Sequence, residues 1–344
     1  MTSLADDVVA VDEVEREAWE AGRLLEAREL GDGFWSVPTS IPEGTLPGTL
    51  GYALIGDDGV HLIDPGWDTP ENLHRIERAL AAEERSLSDI RTIIVTHHHP
   101  DHLGIAGRML TLTGARLVMS AAERSVLAAV TAPAARDPEA YRDTLTRWGV
   151  PEGRREELVA SFARPSLTGD VEPDLQVVDG DVLELGGHRL EVIATPGHTG
   201  GHICLADRAS RFLFTGDHVL PRIYSGVGIG ILAGTEPMGD LLSSLDRLAE
   251  FDDFTVLPGH EFRFVGLASR RVAISAHHLR RTGEVAALVT ELGDRSVWTY
   301  ASRLTWTSGW RGLDGFWLHS ALRQAEMHLE LVRSGRAQGW LNPD

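Results

Sequence analysis

Residues 91–96, RTIIVT, form a short β-branched run that is followed at once by the polar cluster HHHPDH at 97–102. A run of this length and composition is typical of a strand buried on both faces of a sheet. Four histidines and one aspartate directly after such a strand indicate that its carboxyl end opens on a functional site. The chain is therefore expected to fold around a buried sheet whose edge carries this cluster.

The spacing inside the cluster divides its side chains between two points. Alternate side chains of an extended segment face the same way, so His97 and His99 converge while His98 points away. Asp101 and His102 lie at the start of the next helix and reach a second point nearby. The pattern is His-x-His-x-Asp-His, with His98 as a bystander.

Three further apolar runs each end in a side chain that can bind a metal ion. These are His198 in ATPGHTGGH, Asp217 in FLFTGDH and His260 in TVLPGHE. Sites in α/β proteins gather where strands end. The combined set of five histidines and two carboxylates suits two divalent ions. The chain has 15 histidines, so a chance cluster is the alternative, but four such segments in this order argue against it.

Strand and helix patterns alternate along most of the chain, which predicts an α/β body. An amphipathic helix precedes this body, a helical insertion rich in Ala, Arg and Glu interrupts it, and a helical pattern follows it. The predicted domains are an N-terminal helix at 1–29, a catalytic domain at 30–265 with the insertion at 121–168, and a C-terminal helical domain at 266–344.

Charge and cysteine content limit the partners of the chain. It has 32 basic and 51 acidic residues, a net charge of −19, and every basic residue is Arg. Such a surface repels polyanions, so a nucleic-acid partner is not favoured. A single cysteine, Cys204, excludes a disulfide framework and a cysteine zinc site. No signal sequence or long apolar run is visible, so we expect a cytoplasmic protein without a membrane partner that acts on a small molecule.

Taken together, the four segments resemble the metallo-β-lactamase superfamily over roughly residues 30–262. The resemblance rests on HHHPDH, His198 in TPGHTGGH, Asp217 in FTGD and His260 in LPGH. It implies an αββα sandwich, in which two facing sheets have helices outside. It also implies the ligand roles: His97, His99 and His198 for the first metal, Asp101, His102 and His260 for the second, and Asp217 as the bridge. Asp64 in HLIDPG matches an aspartate that supports a ligand from behind.

The resemblance implies a hydrolase in which two divalent ions share a bridging hydroxide as the nucleophile, with Asp101 orienting it. The imidazole-rich set favours zinc, and iron or manganese stay open. Superfamily members with a di-iron centre carry Glu where this chain has His99. No Gly-x-Ser-x-Gly occurs, and Cys204 lies in the middle of an apolar run, so neither a serine nor a cysteine nucleophile is indicated.

The substrate stays open at this point. A small-molecule thioester, lactone or ester is favoured, because no acid for an amine leaving group is evident. The alternative is a metal-dependent endoribonuclease or phosphodiesterase, since the C-terminal region resembles the winged-helix extension of some superfamily members. A further alternative is an iron-dependent enzyme that handles oxygen or sulfur.

Three segments are candidates for shaping the substrate site. The insertion is either a lid or a scaffold, and the glycine-rich segment 221–234 is placed to line a pocket. Arg222 and Tyr224 in that segment either contact substrate or anchor the loop. The C-terminal region either closes one side of the cleft or forms a homodimer.

Overall fold

The computed structural model describes residues 7–42, 46–162, 171–230, 234–306 and 309–341. The strands, in chain order, are β1 (Val9–Ala10), β2 (Arg28–Gly31), β3 (Phe34–Ser40), β4 (Gly48–Gly56), β5 (Gly59–Ile63), β6 (Ile90–Ile94), β7 (Arg116–Ser120), β8 (Leu175–Val177), β9 (Val182–Leu185), β10 (His188–Ala194), β11 (Ile203–Asp207), β12 (Phe212–Gly216), β13 (Thr255–Pro258) and β14 (Phe264–Val265).

The helices are α1 (Glu13–Glu20), α2 (Pro70–Ala81), α3 (Pro100–Leu103), α4 (Ala106–Thr113), α5 (Ala121–Thr131), α6 (Pro138–Arg147), α7 (Glu152–Phe162), α8 (Pro237–Arg247), α9 (Leu267–Leu292), α10 (Val297–Ala301), α11 (Gly315–Arg333) and α12 (Ala337–Leu341). The end of the predicted insertion (163–168), residues 231–233 of the glycine-rich segment and the outermost residues of the first and last predicted domains lie outside the described ranges. None of the helices within those ranges is long and apolar enough to cross a membrane.

The described strands form two mixed sheets of seven strands each. One has the order β2-β3-β4-β5-β6-β7-β8, and the other has the order β1-β14-β13-β12-β11-β10-β9. Strands β5 to β8 pair in parallel, as do β12 and β13, whereas the other pairs are antiparallel. The parallel pairs matter for function, because their carboxyl ends meet at one edge.

Apolar side chains from both sheets meet in a core between them. Phe34, Tyr52 and Ile94 from one sheet pack with Phe214 and Leu257 from the other. The outer face of the first sheet is covered by α2 and α4, and that of the second by α8 and α9. Each fully buried side chain of this kind contributes about 1.5–3 kcal/mol. The layers confirm the predicted αββα sandwich.

The N-terminal segment is part of the second sheet rather than one long helix. Val9 pairs with Val265, so the backbone is extended within the predicted N-terminal helix at 1–29. Helix α1 begins only after Asp12, whose side chain accepts a hydrogen bond from Val14 N at 2.8 Å. A sheet edge more than 250 residues away in sequence therefore overrides the local amphipathic pattern.

The insertion and the C-terminal region pack on each other. Tyr141, Leu145 and Trp148 share a buried cluster with Leu318 and Leu322 of α11. The indole Nε1 of Trp148 donates to Glu326 Oε1 at 2.6 Å. These contacts favour the scaffold interpretation of the insertion. From residue 267 on, every described element is helical, so the helical prediction is confirmed, whereas the strands of a wing have no counterpart in that part of the structure.

Candidate metal centre

The predicted ligands meet at one edge of the sandwich because they follow strands that end there. His97 and His99 come after β6, His198 after β10, Asp217 after β12 and His260 after β13. The two groups of potential ligands are His97, His99, His198 and Asp217 in one, and Asp101, His102 and His260 in the other. Within each group the ligand atoms lie within 4.8 Å of one another. The structure thus brings together all seven side chains that the sequence singled out.

In the first group three histidine nitrogens surround one point. His99 Nδ1 lies 3.0 Å from His97 Nε2 and 3.1 Å from His198 Nε2. Nitrogens bound tetrahedrally to one zinc ion at 2.0–2.1 Å lie about 3.3–3.4 Å apart. The observed spacings are therefore close to those of a metal site.

Asp217 faces both groups with different oxygens. Its Oδ2 lies 3.6 Å from His198 Nε2 in the first group. Its Oδ1 lies 3.3 Å from His260 Nε2 and 3.4 Å from His102 Nε2 in the second. Asp101 Oδ2 lies 3.3 Å from His260 Nε2. This is the arrangement that a bridging carboxylate between two metals requires.

Hydrogen bonds behind three of the histidines turn Nε2 toward the site. His198 Nδ1 donates to Gly226 O at 2.6 Å, and His260 Nδ1 donates to Gly48 O at 2.8 Å. His102 Nδ1 lies 2.8 Å from Asp64 Oδ2. Carbonyl and carboxylate oxygens only accept, so these Nδ1 atoms carry a proton, and Nε2 is the atom whose lone pair binds a metal when the ring is neutral.

Asp64 supports both ends of the HHHPDH segment. Its Oδ1 accepts from Thr96 N at 2.8 Å and its Oδ2 from Thr96 Oγ1 at 2.7 Å. Because that hydroxyl donates to Asp64, it accepts from His97 Nδ1, which lies 3.0 Å away. Asp64 is buried and has a positive φ of 51°, a conformation that is uncommon for a residue with a side chain. Asp64 contacts His102 on the side of the ring that faces away from the site, as the support of a ligand requires.

The electrostatics differ between the two groups. Burial, followed by neighbouring imidazoles, lowers the pKa of His97 and His99, and burial lowers that of His198. These three side chains are neutral, which is the form that binds metals. In the second group burial alone would lower the histidine pKa values. Carboxylates instead raise the pKa of His102, chiefly through Asp64, and raise that of His260 to about 10, chiefly through Asp217.

Asp101 of the second group and Asp217, which faces that group from the first, are both held ionised. Burial raises the pKa of Asp101 and Asp217, but the adjacent His102 and His260 outweigh it and lower both values. The second group is therefore a buried cluster of carboxylates and protonated imidazoles. A divalent cation can replace those protons, since metal binding and proton release are coupled.

Buried polar atoms without a hydrogen bond mark the space that a metal would fill. His102 Nε2 and Asp217 Oδ1, which face each other across the site, have no hydrogen-bond partner among the described residues. Leaving such groups unpaired costs about 1–3 kcal/mol each. A Cβ atom at Gly259 would lie 2.7 Å from both Asp217 Oδ1 and His102 Cε1, so only glycine keeps this space open. The residues present therefore fit a pair of divalent metal ions.

Arg222 and Tyr224 are engaged by the protein itself. The Arg222 guanidinium contacts Glu261 Oε1 at 2.9 Å and Glu20 Oε1 at 2.7 Å. The Tyr224 ring stacks on His277 with centroids 3.9 Å apart. These contacts are those of loop anchoring, and substrate contact by either residue stays a prediction.

Two residues near the site escaped the sequence analysis. Thr96 directly precedes the first ligand in VTHHH. A polar residue at the end of an apolar run was the sequence signal that could have identified it. His202 is buried, and its Nε2 accepts from Asp217 N at 3.3 Å. The second histidine of GHTGGH was its only sign.

Comparisons with known proteins agree with this geometry. The sequence matches the family described as the metallo-beta-lactamase superfamily over residues 45–260. The acyl-coenzyme A thioesterase MBLAC2 of Bos taurus is 28% identical over 291 residues, which cover 81% of this chain and 95% of that protein. The hydroxyacylglutathione hydrolase of Rhodopseudomonas palustris is 28% identical over 216 residues, which cover 61% of this chain and 64% of that protein.

A solved structure is similar over most of both chains. The metallo-beta-lactamase family protein TTHA1429 of Thermus thermophilus superposes with a TM-score of 0.71 at 28% identity. The match covers 90% of this chain and 95% of that one. Because only a tenth of this chain is unmatched, the similarity extends beyond the sandwich into the region that follows residue 266.

Proposed function

We propose that this chain, which belongs to the metallo-β-lactamase superfamily of metallo-hydrolases, cleaves small-molecule thioesters with a pair of divalent metal ions. The observation that carries the proposal is the pair of donor groups joined through the two oxygens of Asp217. When bound, two divalent ions polarise the scissile carbonyl and provide a nucleophile at neutral pH.

The side chains would divide the work as follows. His97, His99 and His198 would hold the first ion, Asp101, His102 and His260 the second, and Asp217 would hold both. Asp64 would keep His102 and, through Thr96, His97 in the tautomer that binds metal. Asp101 has a lowered pKa and is ionised, so its Oδ2 is available to orient the nucleophile and to accept a proton from it.

The leaving group is the reason to favour a thioester. A thiol has a pKa of about 8.5, so it departs as a thiolate without a general acid. An amine needs a proton at the moment of departure. Asp101, the acid–base group proposed for the site, is ionised and has no proton to give. The names of two relatives, an acyl-coenzyme A thioesterase and a hydroxyacylglutathione hydrolase, denote thioester substrates. Lactones and oxygen esters are the next candidates.

A cavity beside the metal centre supports an acyl substrate. The segment 226–230 holds His198 on one side, since Ile229 N donates to His198 O at 2.9 Å. On its other side it lines a cavity of about 210 Å³ against α11. The lining combines Val227, Ile229, Phe316 and Met327 with the polar side chains of His319 and Arg323. Pockets for drug-sized ligands measure about 300–1,000 Å³, so we expect this smaller one to take a single acyl chain such as octanoyl.

Zinc is the metal we propose, because five of the seven ligands are imidazoles. Imidazole suits zinc, and it also suits iron. Elemental analysis of the protein as purified tests this choice directly. Two zinc ions per chain are expected, and iron without zinc would contradict it.

A substrate panel tests the activity. The zinc-loaded protein is assayed with acetyl- and octanoyl-coenzyme A, S-lactoylglutathione, a γ-lactone, bis(p-nitrophenyl) phosphate and a chromogenic β-lactam. We expect at least one thioester to be cleaved with kcat/KM above about 10⁴ M⁻¹ s⁻¹, at least tenfold above every other class. A preference for the phosphodiester that falls steeply with added salt would contradict the proposal and favour a nuclease.

A further inference from the structure

Glu123 is a fully buried carboxylate that sits between the two loops delivering the first three histidines. It lies in the first turn of α5 and has no exposed surface. Its Oε1 accepts from His98 N at 2.8 Å and lies 2.6 Å from His98 Nδ1. Its Oε2 accepts from Thr199 Oγ1 at 2.8 Å and from Gly201 N at 3.0 Å.

Each oxygen of Glu123 holds a different loop. His98 stands between His97 and His99, so Oε1 fixes the backbone that carries both ligands. Thr199 and Gly201 follow His198, so Oε2 fixes the loop that carries the third ligand. The contacts described for the second group run elsewhere, to Asp64 behind His102 and to Gly48 O behind His260.

We propose that Glu123 is a positioning residue for the first metal, because it sets the distance between the 97–99 loop and the 198–201 loop. Part of this positioning acts through the side chain of His98, which points away from the metals and contacts Glu123. The inference rests on the proposed metal centre but not on the proposed substrate. Its test therefore measures metal affinity rather than turnover.

Only a carboxylate satisfies the four donors at once. A glutamine amide keeps the size of Glu123 but offers one acceptor and one donor. With the glutamine oxygen toward His98, the NH₂ group lies against the N–H of Gly201. With the amide turned over, the NH₂ group lies against the N–H of His98. Neither backbone N–H can reverse its role, so E123Q pushes one loop away without opening a cavity.

Single-site variants separate the two metals. H260A keeps the first donor group, H198A keeps the second, and Co²⁺ affinity is measured in each by competition with a chromogenic chelator. Adding E123Q is expected to weaken Co²⁺ binding about 10- to 100-fold in the H260A background, the usual loss for a residue behind a ligand. In the H198A background it should change affinity by less than about threefold.

Asp207→Asn is the matched control for loss of a buried carboxylate. Asp207 contacts His188 Nδ1 at 2.6 Å and accepts from Ala209 N at 2.8 Å, at the far end of β11. D207N should lower the melting temperature but leave Co²⁺ affinity unchanged in both backgrounds. Equal losses from E123Q and D207N, or equal losses in both backgrounds for E123Q, would overturn the positioning role.

Thr199→Val provides a second variant in case E123Q does not fold. It is isosteric and removes one of the four donors to Glu123. It is expected to weaken Co²⁺ binding in the H260A background by up to about tenfold, and an unchanged affinity would overturn the inference. If neither single-site background binds Co²⁺, the metal centre itself is contradicted, which is distinct from a failure of Glu123 alone.

Discussion

The chemistry of single residues here depends on which nitrogen of each histidine is free. Partners behind His102, His198 and His260 hold the proton on Nδ1, so Nε2 is presented to the site. By contrast, Cys204 is unsuited to catalysis, because burial raises the pKa of its thiol to about 12 and the thiolate is scarce at neutral pH. Cys204 is therefore not a candidate nucleophile, and the proposed chemistry stays with the groups around Asp217.

Replacing Asp217 with Ala should remove the carboxylate that both donor groups share. We expect loss of bound metal and a fall in kcat/KM of more than about 100-fold, which exceeds the usual loss for residues that only support a ligand. Metal content and the rate of thiol release are measured on the same sample. Full metal occupancy with retained activity would contradict the assignment.

The segment 226–230 joins the proposed metal centre to the cavity. Gly228 N donates to Gly197 O at 2.8 Å, and Gly200 N donates to Gly230 O at 3.0 Å. Helix α11 forms the opposite wall. The first turn of α11 exposes two neighbouring aromatic side chains, Phe316 and Trp317, of which only Phe316 lines the cavity.

Phe316→Ala should weaken binding of acyl groups without unfolding the protein, since this side chain is 54% exposed. We expect KM for an octanoyl thioester to rise about 3- to 10-fold, because removing a partly buried aromatic wall costs on the order of 1 kcal/mol. Trp317→Ala is the matched control and should leave KM unchanged. Equal effects of the two substitutions would show that the cavity does not bind the acyl group.

A buried histidine in α9, His278, should make the C-terminal helices sensitive to acid. Burial, followed by the nearby His277 and Arg281, lowers the pKa of His278 to about 3. The unfolded chain has a histidine pKa of about 6.5, so it binds more protons than the folded chain below that pH. The contribution of His278 to the free energy of unfolding does not change above about pH 6.5. Below that pH the free energy of unfolding falls as the pH approaches the pKa of His278 in the folded chain.

His278→Leu should therefore flatten the loss of stability in acid. At pH 5 the single histidine accounts for about 2 kcal/mol. The measurement is the free energy of unfolding in urea at pH 7 and pH 5 for both proteins, each freed of metal. Parallel losses in the two proteins would rule out His278 as a source of the acid sensitivity.

Over the whole molecule, the predicted domains share their hydrophobic cores. Ile274, Met327 and Leu331 from beyond residue 266 pack into the cluster under the second sheet. Arg270 of α9 donates to Leu220 O at 2.6 Å and to Ile223 O at 2.7 Å, directly after Asp217. The region after 266 thus braces the loop next to the metal centre.

A chain that ends at residue 265 should consequently fail to fold alone. Removing residues 266–344 exposes the apolar surface of two buried clusters. Large exposed apolar patches promote aggregation. Co-expression of 1–265 with 266–344 should restore soluble material relative to 1–265 alone. A soluble 1–265 chain with a cooperative thermal transition would instead establish the catalytic domain as autonomous.

The sequence predicts the ligands well because each lies in the segment that follows an apolar strand, and both the strand and the ligand can be recognised from local sequence. It predicts neither the role of Glu123 nor the strand at Val9–Ala10, because Glu123 joins the His98 loop to Thr199, 76 residues away, and Val9 pairs with the distant Val265. The sequence also predicts the insertion as helical, but it does not say that Leu145 and Trp148 pack against α11. Which surfaces meet is decided by the packing of the whole chain.

The most direct test of the account is a titration of the metal-free protein with Zn²⁺ while thiol release from an acyl thioester is followed. Two donor groups that share Asp217 predict that the rate rises with added metal and reaches its plateau at two equivalents per chain. A rate that is independent of metal, or that reaches its plateau at one equivalent with the second donor group empty, would contradict a paired metal centre.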